Sequence, residues 1–144
     1  MVDILAWFVI HMGISALMTR VPGRYFSQRI CLFQPFSWET RNFYEQKIQV
    51  KKWKDQLPDA APWFGGFSKK SLADRSTSYL TTYMQETCRG EAAHMLIIAL
   101  SPLFFLWNEV WVGWFMIAFG LTFNAPCWLV QRYNRGRLLR LGDK

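Results

Sequence analysis

The chain has 144 residues, enough for one domain, and shows no internal repeat. Its formal charge of +7 comes without a zinc-knuckle or RNA-binding motif, so nucleic acid is not implied as a partner. The 3 cysteines, an odd number, argue against a disulfide framework.

All 17 lysines and arginines fall in residues 20–89 and 132–144, and residues 1–19 and 90–131 contain none. Basic side chains are costly to carry across a bilayer and stay on its cytoplasmic side. The sorting predicts an all-α integral membrane protein, one domain over 1–144, with three transmembrane helices at about 4–19, 92–107 and 110–130. The N-terminus is then outside, while the region 20–89 and the tail 132–144 are cytoplasmic. A soluble helical fold, which a mean hydropathy near zero would allow, gives no reason for such sorting.

Asp3 is the only charged side chain before Arg20, so the first segment lacks the basic start of a signal peptide and reads as a retained span. The runs 4–19 and 92–107 are short against the roughly 20 residues a span prefers, which predicts helix beyond the apolar limits, tilt or local thinning. Arg20-Val21-Pro22-Gly23 ends the first helix, and the aromatic residues Tyr25, Phe26, Phe33, Phe36 and Trp38 then mix with Arg24 and Arg29 as at a membrane interface. From Glu39 to Leu57 the side chains of Phe43, Val50, Trp53 and Leu57 share one helical face and Lys47, Lys51 and Lys54 another. Such an amphipathic helix lies in the membrane surface, lysines toward phosphates, or packs Trp53 and its neighbours on the rest of the protein; periodicity does not separate the two. Pro58, Pro62, Gly65 and Gly66 make a loop. Asp74 or Ser76 then caps a second long helix of roughly 30 residues, which runs through Tyr83, Glu86 and His94 and kinks at Pro102. Asn108 and Glu109 form the outer turn between Trp107 and Trp111.

If the second and third spans are antiparallel about that turn, residues at equal depth have numbers summing to about 217. His94 then meets Asn124, Glu91 lies level with Pro126, and Glu86 with Gln131. Thr87, Glu91 and His94 follow at i, i+4 and i+7, and Asn124, Gln131 and Arg135 form a similar stripe. Ionisable groups just inside a membrane are costly and are usually kept for function. The other reading is a structural network in which Glu86 and Glu91 neutralise Arg89 and Arg132.

A neutral imidazole can remove a proton from an alcohol, and a carboxylate one helical turn away can orient it. His94 with Glu91 fits base and orienter. Asn124 or Gln131 fits a donor to an oxyanion, and the C-terminal arginines fit phosphate binding. Cys127 as a covalent acyl carrier is a weaker reading, because a cysteine in an apolar span is usually inert packing. No metal site is expected, since Glu91-x-x-His94 alone supplies too few ligands. His11, deeper in the first span, reads as a packing residue.

Several motifs together carry a family likeness: Arg20-Val21-Pro22 with Tyr25-Phe26, Lys52-Trp53-Lys54 with Leu57-Pro58-Asp59, the run Glu86 to His94, and Asn124-Ala125-Pro126-Cys127 leading to Gln131-Arg132-Tyr133-Asn134-Arg135-Gly136-Arg137. They resemble the small bacterial glycosyl-4,4'-diaponeurosporenoate acyltransferase family, which acts in the last step of staphyloxanthin-type carotenoid synthesis. Ala60 and Met95 depart from it, where the pattern tends to have Gly and Trp. The resemblance implies an enzyme of the bacterial cytoplasmic membrane that transfers a fatty acyl group to a sugar hydroxyl of a membrane glycolipid. Acyl-CoA or an acyl-carrier thioester is the co-substrate, with no other cofactor. The expected site combines catalytic His94 and Glu91; acceptor or oxyanion residues Asn124, Gln131, Glu86, Tyr133 and Asn134; and donor-phosphate residues Arg89, Arg132, Arg135 and Arg137. Lys52, Trp53 and Lys54 form the interfacial motif. Partners are membrane lipid and the acyl donor, and a homo-oligomer is compatible, because three spans alone bury a polar site poorly. The rival readings are a non-catalytic membrane scaffold and a lipid methyltransferase.

Overall fold

Apolar side chains on every face leave the first segment no amphipathic alternative, and it forms one helix, α1 (Val2–Arg20), of which only Trp7 is buried. The computed structural model describes residues 2–27, 29–58, 63, 65–67, 69 and 72–142. Asp59, Ala60 and Pro62, which belong to the expected loop and the family motif, lie outside the described residues, as does the side chain of Cys31. Ser76 caps α3 (Thr77–Leu100) by accepting a hydrogen bond from the backbone of Tyr79, and Asp74 in turn accepts from the Ser76 hydroxyl and backbone. Helix α3 tightens to a 3-10 stretch at Ser101–Leu106, where Pro102 forbids a regular continuation. After the turn, α4 (Val110–Gly142) runs through Pro126 to the last described residues.

Three helical stretches are long and apolar enough to cross a bilayer: Val2–Arg20, Thr77–Leu106 and Val110–Leu141. The second and third extend well past the apolar runs 92–107 and 110–130, as their shortness required. Ile4, Leu5, Leu106, Trp111, Trp114 and Phe115 are exposed on the outer faces, an arrangement that lipid stabilises and water does not. One end is tied by Asp3, which accepts from Trp107 Nε1 and Asn108 Nδ2, both at 2.9 Å, so the start of α1 and the α3–α4 turn share a side. Arg20, the described residues between Gly23 and Arg75 and the end of α4 lie toward the other.

Inside, α3 packs along α4, and α1 lies against α3 while approaching α4 much less. Trp7 fills the centre, its ring 4.8 Å from Phe104 and beside Ile97 and Phe119. Gly120 admits that ring: a Cβ there would lie 2.9 Å from it. Gly90 does the same for the Gln131 amide on the facing helix.

The region Glu39–Leu57 is not one amphipathic helix. It divides into a π-helical turn (Phe43–Lys47), a single α-turn, α2 (Val50–Trp53), and a 3-10 turn (Lys54–Gln56). The break falls at Gln49, whose φ of 49° is left-handed. Tyr44, Val50 and Trp53 pack with Tyr133 and Leu129 of α4, so the apolar face is used inside the protein.

Candidate functional site

A cavity of about 520 Å³ opens between α1, α3 and α4. Helix α3 provides its floor through Arg89, Gly90, Ala93 and His94, and the walls come from His11, Met12 and Ser15 of α1 and from Phe123, Asn124 and Gln131 of α4. Toward the α3–α4 turn it ends in apolar Trp7, Ile97 and Phe119; toward the other end it meets Glu86, Arg89, Asn134, Lys54 and Lys69. The arrangement suits an amphiphile, with a tail among hydrocarbon side chains and a head among polar ones.

His94 and Asn124 meet across the helices as the equal-depth argument requires, with Nδ1 of the imidazole 3.0 Å from Oδ1 of the amide. Asn124, 1% exposed, directs Nδ2 to the carbonyl of Gly120 at 2.9 Å and toward His11 Nε2 at 3.4 Å. Nδ1 of His11 lies 2.9 Å from the carbonyl of Trp7. His11 therefore belongs to the polar chain and is not mere packing. Both N–H groups of the Asn124 amide are engaged in this way, which removes it as the oxyanion donor.

Glu91 is fully buried and does not serve as the orienter of His94. Its Oε1 accepts from Arg132 at 2.5 Å and from Trp128 Nε1 at 2.9 Å, and its Oε2 accepts from Arg135 at 2.5 Å. Arg132 uses all five of its N–H donors: on Glu39 twice, on Glu91, and on the carbonyls of Leu32 and Gln34. Phe36 and Trp128 cover its plane. Arg135 adds a contact to Cys88 Sγ at 3.6 Å. Two carboxylates and two guanidiniums thus balance in a buried network that fastens the 31–39 segment to α3 and α4. Arg132 has no donor left for a donor phosphate, so that expectation is corrected for it, and Arg135, 2% exposed, turns donors to Glu91 and Cys88.

The remaining expected residues divide between cavity and outside. Glu86 pairs with Arg89, which also donates to the carbonyl of Val21 and stacks over Phe26. Among the described residues two buried polar atoms lack a hydrogen-bond partner, Arg89 Nε and Gln131 Oε1, and both residues line the cavity. Asn134 lines it too. Tyr133 faces away, its hydroxyl on Glu45 at 3.1 Å, and Arg137 is exposed above that ring. Trp53 donates to the carbonyl of Ile48, Lys54 pairs with Asp55 at the cavity rim, and Lys52 is exposed.

Electrostatics outside the spans follow these contacts. Burial pushes the Glu39 carboxyl up, but hydrogen bonds from Arg132, Tyr44 and the Phe36 backbone outweigh it and hold the group below its ordinary value. Lys51, followed by Arg41 and Tyr133, brings Glu45 down to about 2 against a smaller opposing effect of burial. Among the described residues no three His, Cys, Asp or Glu side chains converge as metal ligands would. Cys127 lies at the cavity wall, its thiol directed to the carbonyl of Phe123 at 3.7 Å.

Sequence reasoning missed Glu39, Trp128 and the part played by His11. The first two contact residues that it had singled out, but through tertiary folding that no spacing reveals.

The comparisons with known proteins agree with the motifs. The family model described as glycosyl-4,4'-diaponeurosporenoate acyltransferase matches residues 29–144. Glycosyl-4,4'-diaponeurosporenoate acyltransferases of Staphylococcus aureus strains N315 and USA300 are each 30% identical over 137 residues, covering 94% of this chain and 82% of theirs. The protein of the same name from the bovine strain RF122 is 29% identical over the same span. No solved structure matches. With the matched region containing α3, α4 and the whole buried ion network, the chain belongs to the glycosyl-4,4'-diaponeurosporenoate acyltransferase family and is an acyltransferase.

Proposed function

We propose that this acyltransferase moves a fatty acyl group from a cytoplasmic thioester, acyl-CoA or an acyl carrier, to a hydroxyl of a membrane glycolipid. The observation that carries the reading is the cavity that runs from apolar Trp7, Ile97 and Phe119, past His94, to the polar groups Arg89, Gln131 and Asn134. The acyl chain lies toward Trp7 and Phe119, and its thioester carbonyl is at the level of His94. His94 takes the proton of the acceptor hydroxyl as that oxygen attacks the carbonyl. The tetrahedral intermediate expels the thiolate, which receives the proton back from His94, leaving an ester and a free thiol.

Gln131 replaces Asn124 as the amide beside the reacting carbonyl, and its unpartnered Oε1 supports a second role in receiving a sugar hydroxyl. Arg89 Nε, buried without a partner, and exposed Arg137 are the guanidiniums with donors for phosphate. Charge sorting supports insertion in a bacterial cytoplasmic membrane with the N-terminus outside and the C-terminus inside. A homo-oligomer is compatible with this arrangement, since a second copy would shield the polar cavity from lipid.

Purified protein in micelles, given acyl-CoA and a glycolipid acceptor, is expected to release thiol and to raise the acceptor mass by one acyl group. His94→Ala should reduce turnover by about 100-fold or more, the scale of general-base catalysis. Undiminished turnover in that variant rejects the assignment, and a methyl-sized mass gain, or none, rejects the reaction.

A further inference from the structure

We propose that Asn124, its amide held by the Gly120 carbonyl and by His11, sets the tautomer of His94 and is a positioning residue of the site. The functional part of this inference rests on His94 acting as the base; the tautomer itself does not.

The protons follow from acceptors that cannot change. The Trp7 carbonyl has no proton, so His11 Nδ1, 2.9 Å away, carries one. The Gly120 carbonyl, 2.9 Å from the Asn124 amide nitrogen, fixes which way that amide faces, because the flipped amide would set oxygen against oxygen. With Nδ2 so placed, its second N–H is directed to His11 Nε2, 3.4 Å away, and that nitrogen must be the unprotonated one. A doubly protonated His11 would put N–H against N–H. Asn124 Oδ1 is then the only amide atom left for His94, and at 3.0 Å it requires a proton on His94 Nδ1. In the neutral imidazole the lone pair consequently belongs to Nε2.

The chain Trp7 carbonyl, His11, Asn124, His94 thus delivers a defined basic nitrogen to the ring that lines the cavity. It performs the service that a carboxylate performs in hydrolase triads, without adding a charge in a low-dielectric span. A carboxylate in place of Asn124 would need its own neutralisation there. Neutrality at His11 and Asn124 leaves the charge balance of the neighbouring ion network unaltered.

The test uses the full chain in micelles with 15N-labelled histidine. With only 2 histidines, His11→Gln assigns both rings directly. The expected spectrum has His94 protonated at Nδ1 and bare at Nε2. Asn124→Leu, which removes the acceptor, should move His94 toward the Nε2–H tautomer, whereas His11→Phe leaves the Gly120 carbonyl holding the amide and should keep the Nδ1–H form. His11→Gln retains one donor and one acceptor and should preserve it. In transfer assays Asn124→Leu should lower kcat by about tenfold or more with KM nearly unchanged. A wild-type His94 protonated at Nε2, or a His94 spectrum indifferent to Asn124→Leu, overturns the inference. A protein with the expected tautomers but no acyl transfer supports the relay and rejects only the proposed reaction.

Discussion

Each charge in the Glu39–Arg132–Glu91–Arg135 network is matched by its neighbour, and removing one leaves an uncompensated ion in a buried place. Glu91→Ala strands the Arg135 guanidinium and leaves Arg132 with Glu39 alone, and should destabilise the fold by about 3–5 kcal/mol, seen as a lower unfolding midpoint in a detergent titration. The same variant distinguishes structural from catalytic use. If Glu91 acted by orienting His94, Glu91→Gln would lose activity without losing stability; the geometry predicts instead that both fall together. Of the two readings the sequence allowed for Glu91, orientation of His94 and neutralisation of Arg132, the geometry agrees with the second. His94 is one helical turn away along α3, whereas Arg132 and Arg135 reach Glu91 from farther along α4 only because their side chains are long. The meeting of His94 with Asn124 was legible, because it depends on equal rise in two antiparallel helices and on nothing else. His11 was not, because a histidine considered alone on an apolar helix has no visible partner.

At the scale of elements, the segment between α1 and α3 is held by one carboxylate more than by its own helicity. Glu39 accepts from Arg132, from Tyr44 Oη at 2.5 Å and from the Phe36 backbone at 2.7 Å. Its folded pKa is lowered, so its contribution is complete above the ordinary value of 4.5 and is lost as pH falls through the lower folded value. Spin labels at Lys52→Cys and Arg137→Cys, with the native cysteines replaced, should report a distance distribution that broadens as pH falls below 4.5. In Glu39→Gln it should be broad already and insensitive to acid. The helical turns at 43–56 were legible in their apolar face but not in their break at Gln49, since a left-handed residue other than glycine leaves no trace in periodicity. Close crossings make a second demand. Gly120→Ala would drive a methyl group toward the Trp7 ring, which is 6% exposed and has little room to yield. A loss of about 1–3 kcal/mol is expected from overpacking, although alanine is the better helix former; a stability gain in the same titration would contradict the tight Trp7–Gly120 contact.

For the whole molecule, three helices long and apolar enough to cross a bilayer, and their order, were legible because a bilayer imposes length, polarity and charge sorting on any helix that crosses it. The fold also places Asp3 and the Trp107–Asn108 turn at one end and the described basic residues toward the other. The proposed orientation in the cell puts the basic end in the cytoplasm, as charge sorting favours. Glu109 and Lys52 are exposed at the two ends and can each be changed to cysteine after the native cysteines are replaced. A membrane-impermeant maleimide should label Glu109→Cys in intact cells, and Lys52→Cys only after permeabilisation. The reverse pattern would put the polar mouth of the cavity, with Lys54, Arg89 and Gln131, on the outer face and out of reach of a cytoplasmic thioester. Because the proposed reaction needs that donor, labelling of Lys52→Cys from outside would refute the topology and the donor together, whereas it would leave the tautomer chain within the helices intact.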